Sequence, residues 1–264
     1  MLFRSNGALQ YALAAADAWR GEYVRLAGAS LRVPGSRRIR LSVIGGNLRI
    51  HRLIDALARP GDTVVDVGAN IGYNAVHAAR RVGSAGRVVA IEPTPDNLAV
   101  LEHNLSAARV ANVLVRPVAA GRDNGKRSFY VRGDTSAVNS FYPQSCYAKV
   151  TGTLEVPIER LDDLVDGEAD VVKIDVEGAE LEVLDGMVRL LRHRGLALIV
   201  EWHPKLQMLA GHDADALPRR LLERGFALHA VSHLRTRRCT KEDVPALRDR
   251  LLQAERPVEL VARR

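Results

Sequence analysis

The chain has few cysteines and few aromatic residues for its length. Of its 264 residues only two are cysteines, Cys146 and Cys239, and 5% are aromatic. The cysteines are far apart in sequence and have no cysteine or histidine at metal-ligand spacing. This pattern indicates free thiols in a reducing compartment rather than a disulfide framework or a zinc site, so we expect a cytoplasmic protein.

No hydrophobic run is long enough to span a bilayer, and no secretory signal is recognisable. The most apolar N-terminal segment, ALQYALAAADAW, is interrupted by Asp17 and is followed by no cleavage pattern. We interpret residues 8–28 as an amphipathic helix. Internal repeats and low-complexity linkers are also missing, and the length allows one large domain or two small ones.

Positive charge exceeds negative charge, but its distribution does not favour a nucleic-acid partner. The net charge is +7, and most of the basic residues are arginines spread along the chain. Short basic clusters occur at residues 36–40, 192–194 and 235–239, and the few aromatic residues do not interleave with them. A stacking platform for single-stranded nucleic acid is therefore poorly supported, and we expect no nucleic-acid partner.

Strand and helix patterns alternate along most of the chain. Strands are predicted at 62–67, 86–93, 112–120, 126–133, 153–161, 169–176, 196–202, 226–232 and 257–263, and helices at 71–82, 96–108, 179–194, 214–225 and 242–254. Such alternation predicts an α/β fold with a mostly parallel, Rossmann-like sheet and helices on both faces.

The first 60 residues have a different pattern. Short strands are predicted at 30–35 and 38–45, and a helix at 47–58 ends at the Pro60-Gly61 turn signal. We therefore predict an N-terminal extension or cap at residues 1–60, followed by the main domain at 61–264.

Four predicted strands each end in a carboxylate. Asp66, Glu92, Asp175 and Glu201 all fall at or just past a strand end. In parallel sheets ligands bind beyond the carboxyl ends of the strands, and unpaired buried charge is costly. We therefore expect these groups to face a shared polar cleft.

The stretch TVVDVGANIGYNAVHAARR indicates what the cleft binds. Gly68 and Gly72 allow a tight strand-to-helix turn and a close approach of backbone to ligand, and Glu92 is placed to accept ribose hydroxyls. A dinucleotide fingerprint would have a third glycine, and Asp66 would repel a pyrophosphate. The cationic S-adenosylmethionine suits Asp66 better, and a nicotinamide oxidoreductase is the disfavoured alternative.

The sequence resembles the FkbM-type S-adenosylmethionine-dependent methyltransferases. The resemblance lies in VVDVGANIGYNAVHAA, AIEPTPDNLAVLEHN, VPIERLDDL, VVKIDVEGAELEVLDGM and LIVEWHP, between about residues 61 and 204, with KIDVEGAE as its most specific part. It implies a seven-stranded class I methyltransferase fold. It also implies O-methylation of a hydroxyl group on a small metabolite, sugar or natural product.

The resemblance also implies a cofactor site. Its predicted contacts to S-adenosyl-L-methionine are Asp66, Gly68, Asn70, Gly72, Glu92, Asn97, Val118 and Ala119. Asn70 is expected to contact either the methionine end of the cofactor or its own turn. The chain lacks an Asn-Pro-Pro-Tyr-type tetrapeptide and a Pro-Cys dipeptide, which argues against methylation of DNA bases.

Abstraction of the hydroxyl proton requires a base, and the predicted catalytic candidates are Asp175, Glu177, Glu201 and His203. For Glu177 a role as a helix cap is almost as well supported. Asp175, Glu201 and His203 are also possible ligands of a divalent metal, but no tight ligand spacing supports one and we predict no metal. Lys173, inside an apolar strand, is expected to be structural and paired with a carboxylate.

The loop at 133–149 is a candidate lid over the same sheet edge. Its predicted substrate-side residues are Ser136, Asn139, Ser140 and Tyr142, although a surface loop without a role is equally compatible. The expected partner is a small hydroxylated molecule, with an anionic or carrier-bound form left open. The alternative is a nucleic-acid or carrier-protein binding module on a methyltransferase scaffold, which would not bind the cofactor.

Overall fold

The computed structural model describes residues 22–26, 29–34, 37–132, 139–144, 149–232 and 236–264. The strands are β1 (Tyr23–Leu26), β2 (Ala29–Arg32), β3 (Thr63–Val67), β4 (Arg87–Ile91), β5 (Val113–Arg116), β6 (Ala119–Gly121), β7 (Gly125–Arg132), β8 (Val150–Arg160), β9 (Val171–Ile174), β10 (Ala197–Trp202), β11 (Ala227–Val231), β12 (Thr236–Cys239) and β13 (Val258–Arg263). The helices are α1 (Arg37–Leu57), α2 (Tyr73–Val82), α3 (Pro95–Ala108), α4 (Leu161–Leu164), α5 (Glu180–Asp185), α6 (Pro204–Leu209), α7 (Ala216–Glu223) and α8 (Val244–Ala254), with a 3-10 turn at Leu190–Arg192.

The largest sheet has the strand order β12-β11-β13-β10-β9-β3-β4-β5. The run from β10 to β5 is parallel, and β13 is antiparallel to both β10 and β11. This confirms the predicted class I methyltransferase sheet with its late antiparallel pair. β12 adds an eighth strand at the edge, in a segment that the sequence marked only as an arginine cluster.

Helices cover both faces of this sheet because the central strands are apolar on both sides. On β3, Val65 and Val67 belong to one buried cluster, whereas Val64 belongs to the other. Continuous burial of this kind is characteristic of parallel strands between two helical layers. It leaves the carboxyl ends of the strands as the place where polar groups meet.

The N-terminal region differs from its prediction. Residues 38–45, predicted as a strand, belong to α1, which runs unbroken to Leu57. The periodicity explains the difference, since Ile50, Leu53 and Ile54 lie buried on one helical face and anchor a helix that continues upstream. Residues 23–26, within the predicted helix at 8–28, form β1, while residues 8–21 lie outside the described residues. The boundary at 60/61 stays a prediction.

Proline and glycine account for two further differences. The predicted strand at 112–120 is divided at Pro117 into β5 and β6, and β6 joins β8 and β7 in a separate three-stranded sheet. The predicted helix at 179–194 stops at Asp185, the last residue of α5, and the next residue, Gly186, packs so closely on Gly121 that a Cβ there would lie 1.9 Å from its carbonyl oxygen. Among the described residues, no helix is both long enough and apolar enough to cross a membrane.

Candidate functional site

A cleft opens beyond the carboxyl ends of β3, β4 and β9. Its empty volume is about 910 Å³ with the open solvent at its mouth included. It is lined by Asn47, Val67, Gly68, Ala69, Asn70, Ile71, Tyr73, Asn74, Ile91, Glu92, Pro93, Thr94, Ala119, Ala120, Phe129, Asn139, Phe141, Lys173, Asp175, Val176 and Glu177.

The turn after β3 requires its glycines for packing within the protein. Gly68 has φ +76°, and a Cβ there would lie 2.1 Å from the carbonyl oxygen of Asp175. Gly72 has φ +79° and faces Leu101 rather than the cleft. The predicted reason for these glycines was close approach to a ligand, whereas the structure shows close approach of β9 and α3. Only Gly68 also lines the cleft.

Glu92 lies at the end of β4 and accepts hydrogen bonds from neutral groups. Its Oε1 accepts from the backbone N–H of Thr94 at 2.9 Å and from Nδ2 of Asn97 at 3.0 Å. Its Oε2 accepts from the backbone N–H of Asn70 at 3.0 Å. Burial raises the pKa of Glu92, and these donors oppose that shift. We call Glu92, Thr94, Asn97 and Asn70 the Glu92 corner.

Of the other residues predicted to contact the cofactor, some line the cleft and others do not. Asn97 is buried behind Glu92 and holds it, outside the cleft lining. The Asn70 side chain accepts from the backbone N–H of Ile71 at 2.8 Å, so of its two expected partners it contacts its own turn. Ala119 lines the cleft and Val118 does not.

Asp66 and Lys173 form a buried ion pair behind the cleft. Nζ of Lys173 lies 3.2 Å from Asp66 and 3.5 Å from Asp175, and it donates to the carbonyl oxygen of Gly68 at 3.0 Å. Burial lowers the pKa of Lys173, but the two carboxylates outweigh burial and raise it. The predicted carboxylate partner of Lys173 is therefore confirmed. Asp66 does not line the cleft as expected, because its carboxylate faces Lys173.

Three carboxylates converge at the cleft, which Asp175 and Glu177 line and Glu201 does not. Asp175, Glu177 and Glu201 each contribute one carboxylate oxygen to a group whose atoms lie within 4.8 Å of one another. Adjacent parallel strands place them together, since Asp175 follows β9 and Glu201 lies in β10. Glu177 sits in the intervening turn with φ +54°. We call these three residues the acidic corner.

Crowding in the acidic corner favours the protonated forms of its glutamates. Burial, followed by the charges of Asp175 and Glu180, raises the pKa of Glu177 well above its ordinary value. Burial, followed by the charges of Asp175 and Glu177, does the same for Glu201. Carboxylates with raised pKa values are suited to proton transfer near neutral pH.

His203 does not join the acidic corner. It is buried, it lies outside the cleft lining, and it precedes Pro204 at the start of α6. Burial lowers its pKa, and its charged neighbours are Lys205 and Glu255. Asp175 and Glu201 therefore lie close together as expected. His203 is not part of their group, whose third member is Glu177.

The predicted lid residues have different positions. Asn139 lines the cleft and accepts from the backbone N–H of Arg132 at 2.9 Å. The Ser140 hydroxyl donates to the carbonyl oxygen of Glu177 at 2.8 Å, and the Tyr142 hydroxyl donates to Glu182 at 2.5 Å. Ser136 lies outside the described residues.

Several cleft residues were missed by the sequence analysis, among them Asn47, Thr94, Phe129 and Phe141. Phe129 and Phe141 pack edge to face with ring centroids 5.2 Å apart. A signal was available for this pair, because the chain has only four phenylalanines, and of these Phe129 shortly precedes the predicted lid and Phe141 lies within it. Asn47 and Thr94 have no pattern in the sequence that distinguishes them from ordinary helix and cap residues.

Comparisons with known proteins agree with this geometry. Residues 66–228 match the model of the methyltransferase FkbM domain, which is more than half of the chain. "Methyltransferase 1" of Beauveria bassiana is 26% identical over 172 residues, which cover 57% of this chain and 68% of that protein. The hexuronic acid methyltransferase AglP of Haloferax volcanii is 32% identical over 168 residues, which cover 62% of this chain and 65% of that protein.

A solved FkbM methyltransferase from Methylobacillus flagellatus aligns with 96% of this chain and 57% of its own, at 15% identity and a TM-score of 0.49. The two curated relatives extend beyond the part that this chain matches, which is about two thirds of each. On the family match, and with a class I sheet whose strand ends form the cleft, the chain belongs to the FkbM methyltransferase family.

Proposed function

We propose that this protein transfers a methyl group from S-adenosylmethionine to a hydroxyl group of a sugar or another small metabolite. The observation that carries the proposal is the presence of the Glu92 corner and the acidic corner in one cleft. The first presents a carboxylate held by neutral donors, and the second presents a surplus of carboxylates. A nucleoside with a cationic end is complementary to both.

The Glu92 corner fits the ribose of this cofactor. An ionised carboxylate has about four acceptor sites, and donors in the protein occupy three of those of Glu92. Capacity remains for a sugar hydroxyl, and the three donors fix the carboxylate in place before the ligand arrives.

The acidic corner fits the chemistry of the transfer. When bound, S-adenosylmethionine supplies a methyl group on a sulfonium that leaves as a neutral thioether. Asp175 and Glu177 face the cleft, where the negative charge of Asp175 favours a cationic ligand. A carboxylate of this corner would accept the hydroxyl proton of the acceptor. Glu201 is the third member of this corner, and burial, followed by the charges of Asp175 and Glu177, raises its own pKa.

The acceptor class is supported by the cleft and by one relative. The Haloferax volcanii relative is named as a hexuronic acid methyltransferase, and a sugar hydroxyl needs a base because it is a weak acid. The acidic corner supplies candidate bases, and Asn139 adds a polar group on the lid side.

An assay of methyl transfer to a panel of free sugars, uronic acids and other hydroxylated metabolites tests the proposal. Incorporation from methyl-labelled S-adenosylmethionine is expected into an oxygen of at least one acceptor, as an added mass of one methylene. Binding of S-adenosylmethionine without transfer to any hydroxyl, but with transfer to a nitrogen or carbon acceptor, would contradict the assignment of a hydroxyl group.

A further inference from the structure

Glu180 is a buried carboxylate that lies outside the cleft yet bonds to both chain segments that carry the acidic corner. Its Oε1 accepts from the backbone N–H of Gly178 at 3.0 Å and of Val176 at 3.3 Å. These two residues flank Glu177. Its Oε2 accepts from Nε2 of Gln207 at 2.5 Å. Gln207 belongs to α6, and its backbone N–H bonds to the carbonyl oxygen of His203, just after β10.

The turn that Glu180 holds is conformationally demanding. Glu177 has φ +54° and Gly178 has φ +104°, and a side chain in the left-handed region persists only when its surroundings enforce it. The turn also packs tightly on α6, since a Cβ at Gly178 would lie 3.3 Å from the carbonyl oxygen of Leu206. The Glu180 carboxylate therefore supports this turn through the backbone N–H groups on either side of Glu177.

We propose that Glu180 is a positioning residue that, through Gln207, fixes the turn carrying Asp175 and Glu177 against the segment carrying Glu201. The proposal deepens the proposed function and depends on it for its catalytic consequence. Glu180 does not itself line the cleft, and it contacts the lining residue Val176 only at its backbone N–H. It sets the distance between carboxylates from two different strands, on which proton transfer depends.

The proposed positioning role depends on the hydrogen bonds of Glu180 and not on its negative charge. Burial raises the pKa of Glu180 to about 7, while the backbone donors oppose the shift, so the ionised form is costly in the folded protein. A glutamine would keep an oxygen for the two backbone N–H groups. Its amide N–H would face Gln207, whose Oε1 has no hydrogen-bond partner among the described residues. A flip of the Gln207 amide would restore the bridge.

The test compares Glu180→Ala with Glu180→Gln in the full chain. Asp162→Ala is a matched control, because Asp162 likewise accepts from two backbone N–H groups, those of Arg189 and Leu190, and lies away from the cleft. The readouts are kcat, KM for the acceptor, affinity for S-adenosylmethionine and amide hydrogen exchange. Peptides covering 175–180, 203–208 and 91–97 are followed in the exchange experiment.

Glu180→Ala is expected to lower kcat on the order of 10²-fold, the cost of misplacing a reacting group by about 1 Å. Its cofactor affinity should remain that of the wild type. Glu180→Gln should recover wild-type turnover, and Asp162→Ala should retain it. Wild-type kcat in Glu180→Ala would overturn the proposal, and so would an equal loss in Glu180→Gln, which would assign the effect to charge. If Glu180→Ala does not fold, Gln207→Ala replaces it with the same expectations for kcat and cofactor affinity.

Hydrogen exchange separates this proposal from the proposed function. In Glu180→Ala, exchange should become faster in both 175–180 and 203–208, with 91–97 unchanged. If the wild type methylates no hydroxyl, the proposed function fails, and exchange alone then decides whether Glu180 couples the two segments. Unchanged exchange in both segments would overturn the coupling even in an active enzyme.

Discussion

The Glu92 corner and the acidic corner hold carboxylates in opposite ways, although both lie at strand ends in the same cleft. Glu92 is surrounded by two backbone N–H groups and one amide, all neutral donors. The acidic corner brings three carboxylates together, and the nearby Lys173 is shared between Asp66 and Asp175. Neutral donors stabilise the single negative charge of Glu92, whereas the acidic corner places several carboxylates close to one another.

This difference assigns a separate task to each corner. A carboxylate satisfied by neutral donors is rigid and suited to bind neutral hydroxyl groups. Crowded carboxylates hold protons more tightly, which suits proton abstraction during the transfer. Removing a group from one corner should therefore affect binding, and removing a group from the other should affect turnover.

The largest effect is expected in the acidic corner. Among Asp175→Asn, Glu177→Gln and Glu201→Gln, at least one should lower kcat by roughly 10²–10⁴-fold, the contribution of a general base. Cofactor affinity should change far less. Steady-state kinetics measure both quantities, with the exposed Glu155→Gln as a control. Near-normal turnover in all three variants would mean that positioning alone drives the reaction.

The second effect concerns the ion pair behind the cleft. Asp66→Ala leaves Lys173 buried without its nearest carboxylate, and breaking a buried pair costs about 3–5 kcal/mol in the free energy of unfolding. Urea unfolding monitored by circular dichroism measures this loss. An unchanged unfolding midpoint together with lost cofactor binding would instead support the direct cofactor contact first predicted for Asp66.

A smaller effect is expected in the Glu92 corner. Glu92→Ala removes a charged acceptor for the ribose hydroxyls, and such a hydrogen bond contributes about 1.5–3 kcal/mol. The affinity for S-adenosylmethionine should fall accordingly, while kcat at saturating cofactor stays near that of the wild type. A fall in kcat with unchanged affinity would remove the distinction between the corners. The melting temperature of the variant serves as the control for folding.

A still smaller effect is expected for Glu201→Gln, which should stabilise the folded protein. The pKa of Glu201 is raised in the folded protein, so its contribution to stability is present below its unfolded pKa and is lost as pH rises through the folded pKa. At neutral and alkaline pH the ionised Glu201 therefore lowers the free energy of unfolding. Glu201→Gln removes this destabilisation, and each unit of the pKa shift corresponds to ~1.4 kcal/mol. Thermal unfolding at a series of pH values should show a higher melting temperature for the variant at neutral and alkaline pH, converging with the wild type in acid. A lower melting temperature at neutral pH would contradict the crowding of the acidic corner.

The smallest expected effect is that of a metal chelator. Three carboxylates within 4.8 Å have the geometry of a divalent cation site, but the proposed reaction uses them as an electrostatic and proton-accepting group. Turnover should be the same with and without excess chelator. Activity that is lost with chelator and restored by Mg²⁺ would make the acidic corner a metal site.

Much of the fold could be predicted from the sequence because its strands are continuous apolar runs and its helices are periodic. The failures have physical causes. Residues 38–45 alternate like a strand over a short window, but they are the start of a helix anchored further along at Ile50 and Ile54. β12 is exposed along most of its length, so it has no apolar pattern to find.

The positions of site residues were predictable where they depend on the order of the strands in the sheet. Glu92, Asp175 and Gly68 line the cleft as expected, because parallel strands bring their carboxyl ends to one edge. The sequence gives no information on which way a side chain turns at that edge. Asp66 contacts Lys173, and His203 is not part of the acidic corner but has Lys205 and Glu255 as its charged neighbours. Their proposed roles in binding and catalysis stay predictions.

The division of tasks between the two corners is tested most directly by calorimetric titration of S-adenosylmethionine into three proteins. These are the wild type, Glu92→Ala and Glu177→Gln. The account predicts binding by the wild type, affinity of Glu177→Gln close to the wild-type value, and affinity of Glu92→Ala lower by about 1.5–3 kcal/mol. No heat from the wild type, or a greater loss in Glu177→Gln than in Glu92→Ala, would contradict it.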